Sequence, residues 1–247
     1  MEHNKPIFLL LIGVEGSGHH LTLAFLKQFF IKQKVVSLQK WLPSLSSRWD
    51  ALEPIQTKVP TSFKNRQQYI SEIKKTIDNS PQVQFIYTSA SFPYGLERDT
   101  LRRPDIIDMV ELISPYVELR PLVIYRDPVS CTYSAIRRGF NQNALHQARI
   151  VEDNLIFIKQ QLETCGLEFR TINYERFVSN PDAYAKGYKQ WWNIDDKSFS
   201  AGINEIRPST SKKQIPPDIL EILEAFFSPL RTKQWEEFLH KNDIINL

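Results

Sequence analysis

Cysteine is almost missing from this chain: Cys131 and Cys165 are the two in 247 residues. They form no CxxC pair and stand near no histidine cluster, which rules out a disulfide framework and leaves no zinc-ligand pattern. Long apolar runs are missing too. The run near the N-terminus, Ile7 to Ile12, is far too short to span a bilayer. It also lacks the charged start, longer apolar core and small-residue cleavage site of a secretory signal. It reads as a buried strand, and the protein as cytoplasmic. No dense basic block occurs either. Lys and Arg number 31 against 28 acidic residues, a net charge of +3, with local pairs at Arg102–Arg103, Arg137–Arg138 and Lys212–Lys213. That balance suits a small anionic ligand and does not call for nucleic acid.

What is present is an ordinary globular composition, 42% hydrophobic and 24% charged, enough for a sizeable core. There is no repeat, low-complexity tract or linker, so one domain over residues 1–247 is expected. Ile7 to Ile12 is continuously apolar, as strands covered on both faces are. Helical spacing follows over Leu21 to Gln33, then a short strand from Val35 to Leu38. Residues 41–61 form a long irregular stretch, the kind that is often functional. A helix over Ser62 to Asp78, a strand over Val83 to Thr88, a loop from Ser89 to Pro104 and a helix over Asp105 to Ser114 come next. A fourth strand ends at Tyr125, helices run from about Val129 to Arg138 and Ala144 to Glu163, and a fifth strand covers Glu168 to Ile172. The remainder is mostly helical, broken by a loop from Arg207 to Pro217. Strands alternating with helices indicate an α/β fold with a central parallel sheet. Ligands of such sheets bind beyond the carboxyl ends of the strands.

Glycine is scarce, and three of the eight, Gly13, Gly16 and Gly18, fall within six positions between the first strand and the first helix. The loop Gly13-Val14-Glu15-Gly16-Ser17-Gly18-His19-His20 has the spacing of a Walker A phosphate loop, but His19 stands where lysine belongs and His20 where serine or threonine belongs. Amides of such a loop and of the helix start form an anion site. Without the lysine and the hydroxyl, the pattern favours a nucleotide used without Mg²⁺. A tight strand–helix turn without any ligand is the plainer alternative. Vicinal histidines on a helix point in different directions, so a metal site on this pair is not expected.

The second marked segment is Tyr125-Arg126-Asp127-Pro128, leading to Ser134 and Arg138. A buried strand delivers Arg126 at its carboxyl end, and Pro128 opens a helix, a position that proline favours. Arginine offers phosphate a bidentate fork, and a serine hydroxyl can donate beside it.

Here the chain resembles the sulfotransferases that use 3′-phosphoadenosine 5′-phosphosulfate. In that family a strand ending in Arg-Asp/Asn-Pro, with serine eight residues after the arginine, binds the 3′-phosphate of the donor; Arg126 and Ser134 match in type and spacing. The first loop is similar to the family's phosphosulfate loop, Gly-x-Pro-Arg/Lys-Ser-Gly-Thr-Thr, at Gly13, Ser17 and Gly18. Ile172-Asn173-Tyr174-Glu175 looks like the strand that ends in Tyr-Glu in many members, and Ser209 to Lys213 like the late basic loop. The order along the chain is that of the family over roughly residues 7 to 240. The resemblance implies a three-layer αβα, P-loop NTPase-like sulfotransferase fold. It also implies that Gly16, Ser17, Gly18, His19 and His20 hold the 5′-phosphosulfate, and that Arg126 and Ser134, helped by Arg138 or Lys212, hold the 3′-phosphate. The acceptor would be a small-molecule or peptidyl hydroxyl or amine, entering over Ser91 to Tyr94 and the stretch 41–61, with no metal; Trp41, Trp49 and Phe63 are read first as core aromatics and otherwise as an apolar wall of that path.

Two departures stand out. Gly16 occupies the family's basic position, leaving His19 or His20 to supply charge. Ser89 and Ser91 fall where cytosolic members carry Lys and the general-base His, and a neutral serine cannot take up a proton near neutral pH. Glu15 and Glu97 are then candidate carboxylate bases. Two other readings stay open: a non-catalytic protein of this fold that binds the same nucleotide, and a P-loop kinase or nucleotidase with an eroded Walker A loop, for which Asp127 is the one strand-end metal ligand.

Overall fold

The structure is a computed structural model that describes residues 5–32, 35–37, 70–71, 73–75, 77–79, 85–92, 106–193, 197–206 and 215–246, of which 27–32, 35–37, 85–92, 108–109 and 198–199 are described by backbone alone. Trp41, Trp49, Phe63, Glu97 and Lys212, and the stretches 41–61 and 207–214, lie outside the described residues.

The apolar run at the start forms β1 (Ile7–Val14) and is followed by α1 (His19–Lys32). Next come β2 (Val35–Ser37), β3 (Phe85–Phe92), α2 (Ile106–Ile113) and β4 (Glu118–Tyr125). The chain continues through α3 (Pro128–Arg137), α4 (Ala144–Cys165), β5 (Arg170–Asn173), α5 (Tyr174–Ser179) and α6 (Pro181–Trp192). It closes with α7 (Ser198–Gly202), α8 (Pro217–Phe226) and α9 (Pro229–Lys241).

The sheet is parallel throughout, in the order β2-β3-β1-β4-β5. β1 is therefore central and needs apolar side chains on both faces, which its composition supplies. Phe8, Leu10, Ile12 and Val14 face one helical layer, built from α2, α3, α4, α8 and α9. Leu9 and Leu11 face the other, with Phe25 and Leu26 of α1 and Tyr184, Tyr188 and Trp191 of α6. β4 alternates likewise, Val123 and Tyr125 to the first layer, Leu122 and Ile124 to the second. This is the three-layer αβα arrangement. Pro121 has no N–H for a ladder, and it falls one residue before pairing with β5 begins at Leu122–Arg170.

Local chemistry sets the helix limits near the sheet's carboxyl edge. Asp127 caps α3, its Oδ2 accepting from Ser130 N at 3.1 Å and Ser130 Oγ at 2.6 Å, with Pro128 in the first turn. Asn173 caps α5 by accepting from Arg176 N at 2.9 Å. Asn143 caps α4, which ends at Gly166 in the left-handed region.

Two expectations are corrected. β1 runs two residues past Ile12, and the segment Ser89 to Phe92, expected as loop, is strand: Ser91 stands in register with Gly13 and Phe92 with Val14. Small polar residues signal turns only when nothing pairs with their backbone, and here the longer central strand supplies the ladder.

Candidate functional site

β1, β3 and β4 are neighbours, and the connections leaving β1 and β3 lead to opposite sides of the sheet order. Their carboxyl ends thus open the crevice where the elements diverge. The glycine loop lies there. Ser17 N donates to Val14 O at 3.1 Å, closing a turn whose third residue is Gly16 at φ +87°. Turns of this kind demand φ > 0 at that position. Gly18, at φ +110°, starts α1, its carbonyl accepting from Thr22 N at 3.0 Å. The first-turn amides of α1 have no partner within the helix and carry its positive end.

Three neighbours press on this loop, so its shape is imposed from outside. A Cβ on Gly16 would lie 3.0 Å from Ser134 Cβ and 3.2 Å from Cys131 O; one on Gly18 would lie 2.5 Å from the Tyr174 ring. One on Gly13 would lie 2.4 Å from Ile124 O. The loop is moulded against β4, α3 and the start of α5. A side chain at position 16, where sulfotransferases commonly carry a basic residue, would be strained at this φ and crowded by Ser134.

Arg126 is buried at the end of β4, with 8% exposure. Its Nη1 donates to Gly16 O at 3.1 Å, and its guanidinium lies 4.5 Å over the Tyr174 ring. Its Nε is 3.8 Å from Glu175 Oε1. Ser134, also 8% exposed, sits on α3 under Gly16. Eight residues, about two helical turns including the strand-to-helix bend, return Ser134 to the side on which Arg126 leaves the strand. The half-exposed Arg138 forms an ion pair with Glu15, tying the far end of α3 to the same loop.

Of the residues singled out from sequence, the fold brings together Glu15, Gly16, Ser17, Gly18, His19, Arg126, Ser134 and Arg138. Ser17 is fully buried, and its Oγ is linked to His19 Nδ1 at 3.3 Å. His20 is exposed at the start of α1. Ser91 lies one strand away, beside Gly13 in the ladder. Sequence reading passed over Cys131, whose carbonyl floors the loop and whose thiol burial pushes far up from its usual value, keeping it protonated. It also treated Tyr174 and Glu175 as an echo without a role. Both Glu175 oxygens face Asp127 N, at 3.3 and 3.4 Å, and burial raises its carboxyl above the ordinary glutamate value. About half of that side chain still meets solvent, which keeps the shift of little energetic weight. The missed signal was register: Tyr125 pairs with Asn173, so Arg126 and Tyr174 leave adjacent strands side by side.

A buried arginine, a serine hydroxyl and a glycine loop at a helix start are groups able to donate hydrogen bonds to an anion. Asp127 is engaged in capping α3, and the described residues hold no cluster of three or more His, Cys, Asp or Glu that could hold a metal ion.

No family model matches the chain, and no curated protein sequence matches it. Among solved structures it is similar to the sulfotransferase domain from the Synechococcus PCC 7002 olefin synthase, with a TM-score of 0.51 and 15% identity over 97% of each chain. The fold is therefore the α/β fold of sulfotransferases. Among the described residues, no helix is long and apolar enough to cross a membrane.

Proposed function

We propose that this protein is a sulfotransferase that uses 3′-phosphoadenosine 5′-phosphosulfate, passing its sulfuryl group to a hydroxyl or amine of a small or peptidyl acceptor in the cytoplasm, as one domain and without a metal. One observation carries the reading: Arg126 and Ser134, the pair expected to take a 3′-phosphate, both lie against Gly16 of the loop expected to take the 5′-phosphosulfate. A nucleotide with phosphates at both ends of its ribose is the ligand that needs the two sites adjacent.

In this reading Arg126 and Ser134 grip the 3′-phosphate, with Arg138 or Lys212 adding charge. The amides of Gly16 to His20 receive the phosphosulfate. The acceptor oxygen or nitrogen bonds to sulfur as the bond from sulfur to the phosphate oxygen breaks, and adenosine 3′,5′-bisphosphate departs. Charge grows on that phosphate, and first-turn amides with the ring N–H groups of His19 or His20 offset it, position 16 carrying no basic side chain. The acceptor proton goes to a nearby base. Glu15 stands in the loop itself, and its ion pair with Arg138 must open for it to serve; Ser91 would orient the acceptor rather than take the proton.

A second reading, a binding protein of the same fold without turnover, draws on the same loop, since the strained and crowded glycine at position 16 stands where the family's basic residue would. The kinase reading is weaker because Asp127 is spent on a helix cap. Titration with adenosine 3′,5′-bisphosphate, AMP and ATP in the absence of Mg²⁺ separates them. Preference for the bisphosphate by about tenfold or more, abolished in Arg126→Ala, is expected from loss of a charge-assisted bidentate contact. Equal affinity for AMP would sink the donor assignment. Binding without sulfuryl transfer to any hydroxyl or amine acceptor, from labelled donor, would select the second reading.

A further inference from the structure

The carboxylate of Glu175 touches both halves of the Arg126–Asp127 junction. Its two oxygens share Asp127 N, and Oε1 stands 3.8 Å from Arg126 Nε. We infer that Glu175 is a positioning residue: it fixes the bend between β4 and α3 and aims the Arg126 guanidinium at the glycine loop. The inference rests on the reading of this crevice as a 3′-phosphate site.

The geometry has a simple origin. β4 and β5 end in register, and Asn173 caps α5 so that the next two residues turn towards β4. Tyr174 then lies against the face of the guanidinium, and Glu175 against its Nε edge and the following amide. Nη1 is directed to the Gly16 carbonyl. An arginine side chain has many rotamers, and ordering it only when ligand arrives weakens binding by about three- to tenfold. Here the ordering is done beforehand. The other carboxylates of the crevice have different work: Asp127 caps α3, and Glu15 pairs with Arg138.

A carboxylate beside Arg126 could instead oppose an arriving phosphate by competing for the same charge. The two roles give opposite signs. Glu175→Gln keeps an oxygen for Asp127 N but removes the charge that faces Nε; Glu175→Ala removes both. Calorimetry on the full chain, with adenosine 3′,5′-bisphosphate and AMP as probes, reads the difference. For positioning, Glu175→Ala loses about tenfold for the bisphosphate with AMP affinity unchanged, and Glu175→Gln stays within about threefold of wild type. Tighter bisphosphate binding in both variants overturns the inference in favour of competition. An equal loss for both ligands overturns it in favour of general loosening. A wild-type chain with no preference for the bisphosphate brings down the donor reading and this role together. A wild-type preference that persists in Glu175→Ala brings down this role alone.

Discussion

At position 16 the departure from the sulfotransferase pattern has a steric cause. The backbone is held at φ +87° over Ser134 and the Cys131 carbonyl, so a side chain there meets both backbone strain and close contacts. Gly16→Lys, which would introduce the basic residue that sulfotransferases commonly carry there, is expected to destabilise the fold by about 1–3 kcal/mol through backbone strain and overpacking, and to weaken bisphosphate binding. Gly139 provides the internal comparison. It has φ +77° but nothing within 4 Å of a Cβ, so Gly139→Ala should show the strain alone, about 1 kcal/mol, with binding intact. Denaturant unfolding and nucleotide titration of the two variants check this. Tighter binding in Gly16→Lys would show that the loop yields and that charge was the missing ingredient.

Among elements, the strand-to-helix junction at 125–130 decides whether Arg126 and Ser134 act as one pair. Arg126 directly follows β4 and Ser134 belongs to α3, and Asp127 is the hinge pin between them. Removal of a side-chain cap destabilises a protein by about 1–2 kcal/mol. Asp127→Ala should do so here and also lower bisphosphate affinity by letting Ser134 drift, whereas Asp127→Asn, which still accepts from Ser130 N, should be near neutral in both. Chemical unfolding gives the first quantity and calorimetry the second. An Asp127→Ala chain of unchanged stability would mean that the Pro128 turn is held by packing of α3 alone.

Over the whole molecule, the last described segment closes the sheet's β5 edge, and it does so with a buried acid. Thr171 N donates to Asn242 O at 2.9 Å, and the neighbouring Asp243, 2% exposed, accepts from the Tyr184 hydroxyl at 2.9 Å with Arg176 Nη1 at 3.7 Å. Burial raises the Asp243 carboxyl above the ordinary aspartate value, more than the Tyr184 hydrogen bond and Arg176 lower it. A raised folded value means that the folded state holds this proton more tightly than the unfolded state. The stabilising contribution is complete below the ordinary aspartate range, near about 4, and is lost as pH rises through the raised folded value. Asp243→Asn cannot titrate. Thermal unfolding of both proteins from about pH 4 to 7 should show wild type losing ground to the variant as pH rises through that window; parallel curves would mean that Arg176 compensates the charge fully.

Much of this was legible in the chain itself. The apolar run at 7–12, the glycines after it and the Arg-Asp-Pro junction each carry their meaning locally, through strand burial, positive φ and proline at a helix start, so the parallel α/β class could be read from the sequence, while the family resemblance singled out Arg126 and Ser134. The serines at 89 and 91 misled, because a turn-forming residue becomes a strand residue once a longer neighbour pairs with it. Tyr174 and Glu175 were visible but mute. Their part depends on β5 lying beside β4 in one register, a relation between segments about 50 residues apart. Composition and periodicity act over a few residues and fix what each segment can be; only the packing of strands side by side decides which side chains meet, and that placed Glu175 on Arg126 and pressed Ser134 and Cys131 against position 16.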